Sequence, residues 1–164
     1  MTDIEKIQEL YDRECIRQKI YTYTRAVDRI DEELVREVFT EDANADYGYD
    51  KGNALDVVGR ILNMHRTYYS TSHQISNILL KIDGDKAASE SYATCYVYFR
   101  NEQGEPIPSF TCTRYFDRWE RRNGEWKIVD RTLAMDISNT FTAVQMPQYN
   151  TSRDKEDPSY KYLG

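Results

Sequence analysis

Tyr115-Phe-Asp-Arg-Trp-Glu-Arg-Arg-Asn-Gly-Glu-Trp-Lys-Ile128 is the stretch that settles the architecture. Asn123-Gly124 accepts the positive φ angles of a tight hairpin turn, and it lies between two runs rich in aromatic and β-branched residues. The spacing predicts two long antiparallel strands, over 108–121 and 125–138. Working back, Asn101-Glu102-Gln103-Gly104-Glu105 is a second turn, preceded by a strand over 86–100. Asp83-Gly84-Asp85 is a third, preceded by a strand over 72–82. Strands of this length are about twice the usual five or six residues, so the sheet must curl strongly.

Upstream of residue 72 the apolar spacing is helical. Residues 4–30 carry apolar side chains at 4, 7 and 11, then 16, 20, 23 and 27, with Asp3 or Asp12 as a cap. Asp31 caps a second, short helix bearing Leu34, Val35, Val38 and Phe39. Residues 43–50 read as a short strand and turn. Gly52-Asn53 open a third helix, with Ala54, Leu55, Val58, Ile61, Leu62 and His65 on one stripe. Helices first and strands afterwards is α+β, not the alternation of a βαβ fold. Three N-terminal helices over the concave face of a curled sheet make a cone with an open mouth, a natural small-molecule site. The cone domain is expected over 1–146, followed by a polar tail over 147–164.

Composition narrows the partners. The 164 residues carry a net charge of −6, and an acidic surface repels phosphate backbones, so no nucleic acid is expected. No apolar run reaches the roughly 20 residues of a membrane helix. The opening Met1–Lys6 is polar, and a cytoplasmic location is the default expectation. Cys15, Cys95 and Cys112 show no ligand spacing, so no metal is expected; Cys95 and Cys112 read as reduced neighbours on adjacent strands. No cysteine has a histidine in evident register. No Gly-rich phosphate loop is visible, which disfavours nucleotides. The 14 tyrosines combine apolar rings with polar tips and suit either a wet pocket or an ordinary sheet.

The chain has only two histidines. His73 opens a strand and shares a face with Ile75, Asn77 and Leu79, while Asp28 lies at the edge of the buried face of the first helix. An imidazole paired with a carboxylate is the smallest set of groups that abstracts a proton near neutral pH. His65 reads as a packed helix residue. Arg131 points away from the pocket unless a bulge intervenes, and a parity change between Trp126 and Ile128 on one side and Leu133, Met135 and Ile137 on the other points to such a bulge.

Leu10-Tyr-Asp-Arg-Glu-Cys-Ile-Arg-Gln-Lys-Ile20, Ala26-Val-Asp-Arg29, Phe39-Thr-Glu-Asp-Ala43 and the 115–128 hairpin together resemble the SnoaL-like branch of the nuclear transport factor 2-like superfamily. The resemblance covers about residues 5–138. It implies a cone-shaped α+β barrel whose sheet is mixed but largely antiparallel. Within that superfamily the chain is similar to hexachlorocyclohexane dehydrochlorinase and scytalone dehydratase, which eliminate a group from a ring without a cofactor. Asp28 falls at the position of their helix carboxylate and His73 at that of their catalytic histidine. Tyr47 resembles the dehydratase tyrosine that acts through water, and Tyr23 falls where the dehydrochlorinase has a pocket lysine. There are departures. The strand 86–100 lacks the second histidine of the dehydratase, and Ala134 stands where the dehydrochlorinase has an arginine, which leaves Arg131 as the pocket arginine and Arg114 as no stronger a choice.

The resemblance implies a cofactor-free lyase of the dehydratase or elimination type. Its base would be the Asp28–His73 dyad, its substrate contacts Tyr23, Tyr47 and Arg131, and its substrate a small hydroxylated aromatic or cyclic compound. A retro-aldol carbon–carbon lyase acting on an aromatic diol would use the same dyad. A non-catalytic small subunit of an aromatic-ring dioxygenase, or a ligand-binding module, is the contrasting reading. Self-association is expected, a trimer before a dimer, on the apolar face formed by Val129, Leu133, Met135 and Ile137.

Overall fold

The computed structural model describes residues 2–140 and 154–156. The predicted tail therefore lies outside the described residues except for 154–156, where Lys155 pairs with Glu33 at 2.7 Å.

Helix α1 spans Asp3–Arg29. Its cap is Thr2, whose hydroxyl accepts from the Glu5 backbone while the Glu5 carboxylate accepts from the Thr2 backbone; neither Asp3 nor Asp12 plays that part. Ile4, Ile7, Leu10 and Tyr11 are exposed; Asp12, 4% exposed, is the first buried residue and accepts from Trp126 and Arg121 of the sheet, and the apolar stripe from Ile16 onward is core. Asp31 caps α2, Glu32–Val38, by accepting from the Glu33 and Leu34 N–H groups. Asn53 caps α3, Ala54–Arg66.

Six strands form one sheet: β1 Phe39–Asp46, β2 Lys51–Asn53, β3 Ser70–Asp83, β4 Lys86–Arg100, β5 Pro106–Arg122 and β6 Glu125–Thr140. Their spatial order is β2-β1-β6-β5-β4-β3. Among the described strands only β1 and β6 are parallel, so the sheet is mixed and largely antiparallel, and it curls without closing. Asn123 and Gly124 adopt φ values of 54° and 83°, as the β5–β6 turn demands. The concave face packs Trp119, Trp126 and Ile128 against Ile16, Ile20 and Val27 of α1 and Val57, Val58, Ile61 and Leu62 of α3.

Bulges reset which residues face the core. In β3 the register slips between Ile75, opposite Ala93, and Ile78, opposite Ser91. Ile78, Leu80 and Ile82 consequently join His73 and Ile75 on the inner side, while Leu79 is exposed, contrary to a simple alternation from His73. In β6 one extra residue at Val129 separates the pairs Trp119–Ile128 and Arg118–Asp130. This is the bulge the parity change indicated, and it turns Arg131 inward. Cys95 and Cys112 lie on adjacent strands but one step out of register, Cys95 opposite Thr111 and Cys112 opposite Thr94, so their side chains leave opposite faces of the sheet.

Candidate active site

The last turn of α1 and the start of β3 bring Asp28 to His73. The Asp28 Oδ2 accepts the backbone N–H of His73 at 2.8 Å, and Oδ1 lies 2.6 Å from its Nδ1. Both carboxylate oxygens thus bond to His73. Because a carboxylate only accepts, Nδ1 carries the proton, and the remaining nitrogen, Nε2, is left for the cavity. Burial works against charge on both groups. For Asp28 the hydrogen bonds from His73 and Thr71 outweigh it and hold the carboxyl below its ordinary value. For His73 burial is outweighed by the bonds and charges of Asp28 and Cys95, and its pKa is pushed up to about 10. Both shifts favour the charged forms, a carboxylate and an imidazolium.

The cavity at this dyad has a volume of about 310 Å³, at the small end of ligand pockets, which run from about 300 to 1,000 Å³. Tyr23, Tyr47 and Tyr115 line its floor, and Cys95, Thr111 and Thr113 its wall. Tyr49, Met64 and Met135 line it too and are exposed, at 63%, 38% and 51%, so they form its mouth. The Tyr23 and Tyr47 hydroxyls lie 2.6 Å apart. Burial raises the pKa of both, so they stay protonated; one O–H is spent on the other phenol and one remains for a ligand oxygen.

Arg131 does not line the cavity. It is 1% exposed and makes two bonds to Asp117, at 2.6 and 2.8 Å, which is itself 2% exposed. Its guanidinium lies 4.1 Å from the Tyr23 ring centroid and 4.5 Å from that of Tyr115. The expected substrate contact is therefore corrected: the Val129 bulge turns Arg131 inward, and the Asp117 carboxylate anchors it behind the tyrosine floor. Arg114 lies on the opposite sheet face, paired with Asp136 and Glu90. The apolar face ascribed to the last strand is divided in the same way, since Leu133 and Met135 belong to the cavity.

Two residues of the site were not recognised from the sequence. His65 is buried, lines the cavity and stacks on His73 with ring centroids 5.7 Å apart and planes 24° from parallel. Its Nδ1 lies 3.4 Å from the Val27 carbonyl. Cys95 stands directly opposite His73 across β3 and β4, and both side chains line the cavity. Counting straight back from the Asp83-Gly84-Asp85 turn puts Tyr96 opposite His73, and the β3 bulge shifts the pairing by one. Among the described residues no group of three His, Cys, Asp or Glu side chains is placed to hold a metal ion. No helix among them is long and apolar enough to cross a membrane.

The family model for the SnoaL-like domain matches residues 8–132. The chain belongs to the SnoaL-like domain family. Among curated protein sequences none matches significantly. Among solved structures, this SnoaL-like chain is similar to a type 2 hexachlorocyclohexane dehydrochlorinase, LinA, with a TM-score of 0.78 and 18% identity over 87% of this chain and 97% of the other. The type 3 LinA of Novosphingobium barchaimii LL02 gives 0.77 and 17% over 88% and 99%. A protein provisionally assigned as a scytalone dehydratase, from Novosphingobium aromaticivorans, gives 0.73 and 20% over 85% and 93%. At these identities the likeness is one of fold, the nuclear transport factor 2-like cone.

Proposed function

We propose that this SnoaL-like protein is a cofactor-independent lyase that eliminates a small leaving group from a hydroxylated aromatic or cyclic compound. The observation that carries the reading is the clamp of Asp28 on both the ring and the backbone N–H of His73 at the wall of an apolar cavity. A carboxylate held this way fixes the imidazole tautomer and stabilises the imidazolium formed when Nε2 takes a proton. The names of the LinA and scytalone dehydratase neighbours support the reaction class.

The mechanism has three parts. Neutral His73 removes a proton from carbon or from a hydroxyl. The free O–H of the Tyr23–Tyr47 pair donates to the oxygen that gains negative charge. The leaving group departs as water, halide or another small anion, taking a proton back from the imidazolium where it needs one. Tyrosine rings and apolar walls suit a ring-shaped substrate, and a cavity of about 310 Å³ suits a compound of one or two rings. Self-association belongs to the same proposal. Tyr92, Tyr96, Phe116 and Ile137 stand partly exposed on the sheet face away from the cavity and offer an apolar surface to a second copy.

The test is a screen of hydroxylated aromatic and cyclic compounds against the wild type and His73→Ala, followed by absorbance and by mass spectrometry of products. At least one compound should be turned over, and His73→Ala should lose about 10²–10⁴ in rate. Equal turnover by both proteins would remove the proposed base.

A further inference from the structure

The cavity holds a nucleophile that the elimination mechanism does not use. His73 and Cys95 are register partners on β3 and β4, and both line the cavity. With Nδ1 of His73 taken by Asp28 at 2.6 Å, the ring nitrogen left for the Cys95 thiol is Nε2. Asp28, His73 and Cys95 therefore form a line of carboxylate, imidazole and thiol that ends inside the pocket. This is the order of groups in which a base, oriented by a third residue, activates a sulfur nucleophile. A second observation points to a ligand at the same place. Thr113 Oγ1, 4% exposed and in the same wall, is buried with no hydrogen-bond partner. A buried hydroxyl without a partner costs about 1–3 kcal/mol, which a ligand oxygen would relieve.

We propose that Cys95 is a nucleophile activated by His73 and Asp28, and that the cavity takes small α,β-unsaturated carbonyl compounds by reversible conjugate addition. Nε2 of a neutral His73 takes the proton of the Cys95 thiol, and the Asp28 carboxylate stabilises the thiolate–imidazolium pair that results. The sulfur forms a bond to the β-carbon, and the π pair of the C=C bond moves to the carbonyl oxygen as an enolate. Thr113 Oγ1 donates to that oxygen. The imidazolium then returns the proton to the α-carbon. The net change is addition of S–H across the double bond, with nothing oxidised or reduced, and the reverse steps release the compound. Elimination beside a carbonyl yields this class of compound, so under the proposed function the thiol would capture the enzyme's own product. That link rests on the lyase reading; the addition itself does not.

The experiment exposes the full-length protein to cyclohex-2-enone at neutral pH and follows adducts by intact mass and peptide mapping. All three cysteines are free thiols, and Cys15 and Cys112 are less buried than Cys95. Access alone would therefore label Cys95 last. We expect Cys95 to be labelled at least about tenfold faster than Cys15 or Cys112, and the adduct to reverse on dilution. His73→Gln should slow labelling of Cys95 about tenfold or more, and Asp28→Asn should slow it in the same direction, with the Cys15 and Cys112 rates unchanged as the gauge of an intact fold. Labelling of Cys95 slower than that of the other two thiols, or indifferent to both substitutions, would overturn the proposal. The measurement needs no turnover, so its outcome is independent of whether the lyase screen succeeds.

Discussion

Replacing Asp28 by Asn keeps the shape of the clamp and removes its charge. In the wild type His73 is pushed up to about 10, against a burial cost that acts the other way. A carboxylate in contact with a histidine is worth about 1–3 pH units, and its removal leaves burial opposed only by Cys95. The His73 midpoint in Asp28→Asn should therefore fall to about 7–9. The gap between about 10 and the ordinary 6.5 corresponds to roughly 5 kcal/mol of folding stability. The folded value is raised, so this contribution is fully present below about pH 6.5 and is lost as the pH climbs through about 10. Wild type should thus lose stability between pH 6.5 and 10, and Asp28→Asn should lose less over the same range. The assay is a proton NMR titration of the imidazole Cε1–H signals, which is simple because the chain has two histidines. Urea unfolding at pH 6, 8 and 10 reports the linked stability. A wild-type His73 midpoint below 7, or one that stays near 10 in Asp28→Asn, would refute the argument that this carboxylate sets the charge of the ring.

The same value constrains catalysis. If neutral His73 is the base, about one molecule in a thousand is ready at pH 7, so kcat/KM should rise about tenfold per pH unit from 7 to 9 and level off near 10; a falling profile over that range would contradict the base role. Arg131→Met leaves the Asp117 carboxylate buried without its partner and should cost about 3–5 kcal/mol in urea unfolding, with much of the loss recovered in Arg131→Met/Asp117→Leu. Tyr47→Phe removes one hydroxyl of the floor pair and should weaken binding of a phenolic ligand about tenfold by calorimetry, with little change for the corresponding hydrocarbon.

The helices, the Asp31 cap, the opening of the third helix at Gly52-Asn53 and the Asn123-Gly124 turn were legible because each is written in local residue chemistry. The meeting of Asp28 with His73 was legible as an expectation through the family resemblance, which sets them at the helix carboxylate and the catalytic histidine; the apolar pattern alone put Asp28 only at the edge of the buried face. Less local features were hidden. The β3 bulge, marked by no glycine or proline, moved Cys95 into register with His73 and turned Leu79 outward. The β6 bulge left a trace in residue parity, but nothing local told that Asp117 would take up Arg131, since the two are register partners only after the slip at Val129. His65 looked like packing because its own helix explains its burial; its stacking on His73 depends on how α3 lies beside the last turn of α1.

The division between a sealed base and an open rim has a consequence for how this protein could change. Tyr23, Tyr47 and the ion pair behind them form one interlocked unit, in which a single exchange strands a charge or a hydroxyl. Tyr49, Met64 and Met135 make few such commitments and stand in solvent. Ligand preference can therefore drift, or be engineered, by swapping those three outer side chains while the proton-handling apparatus stays intact.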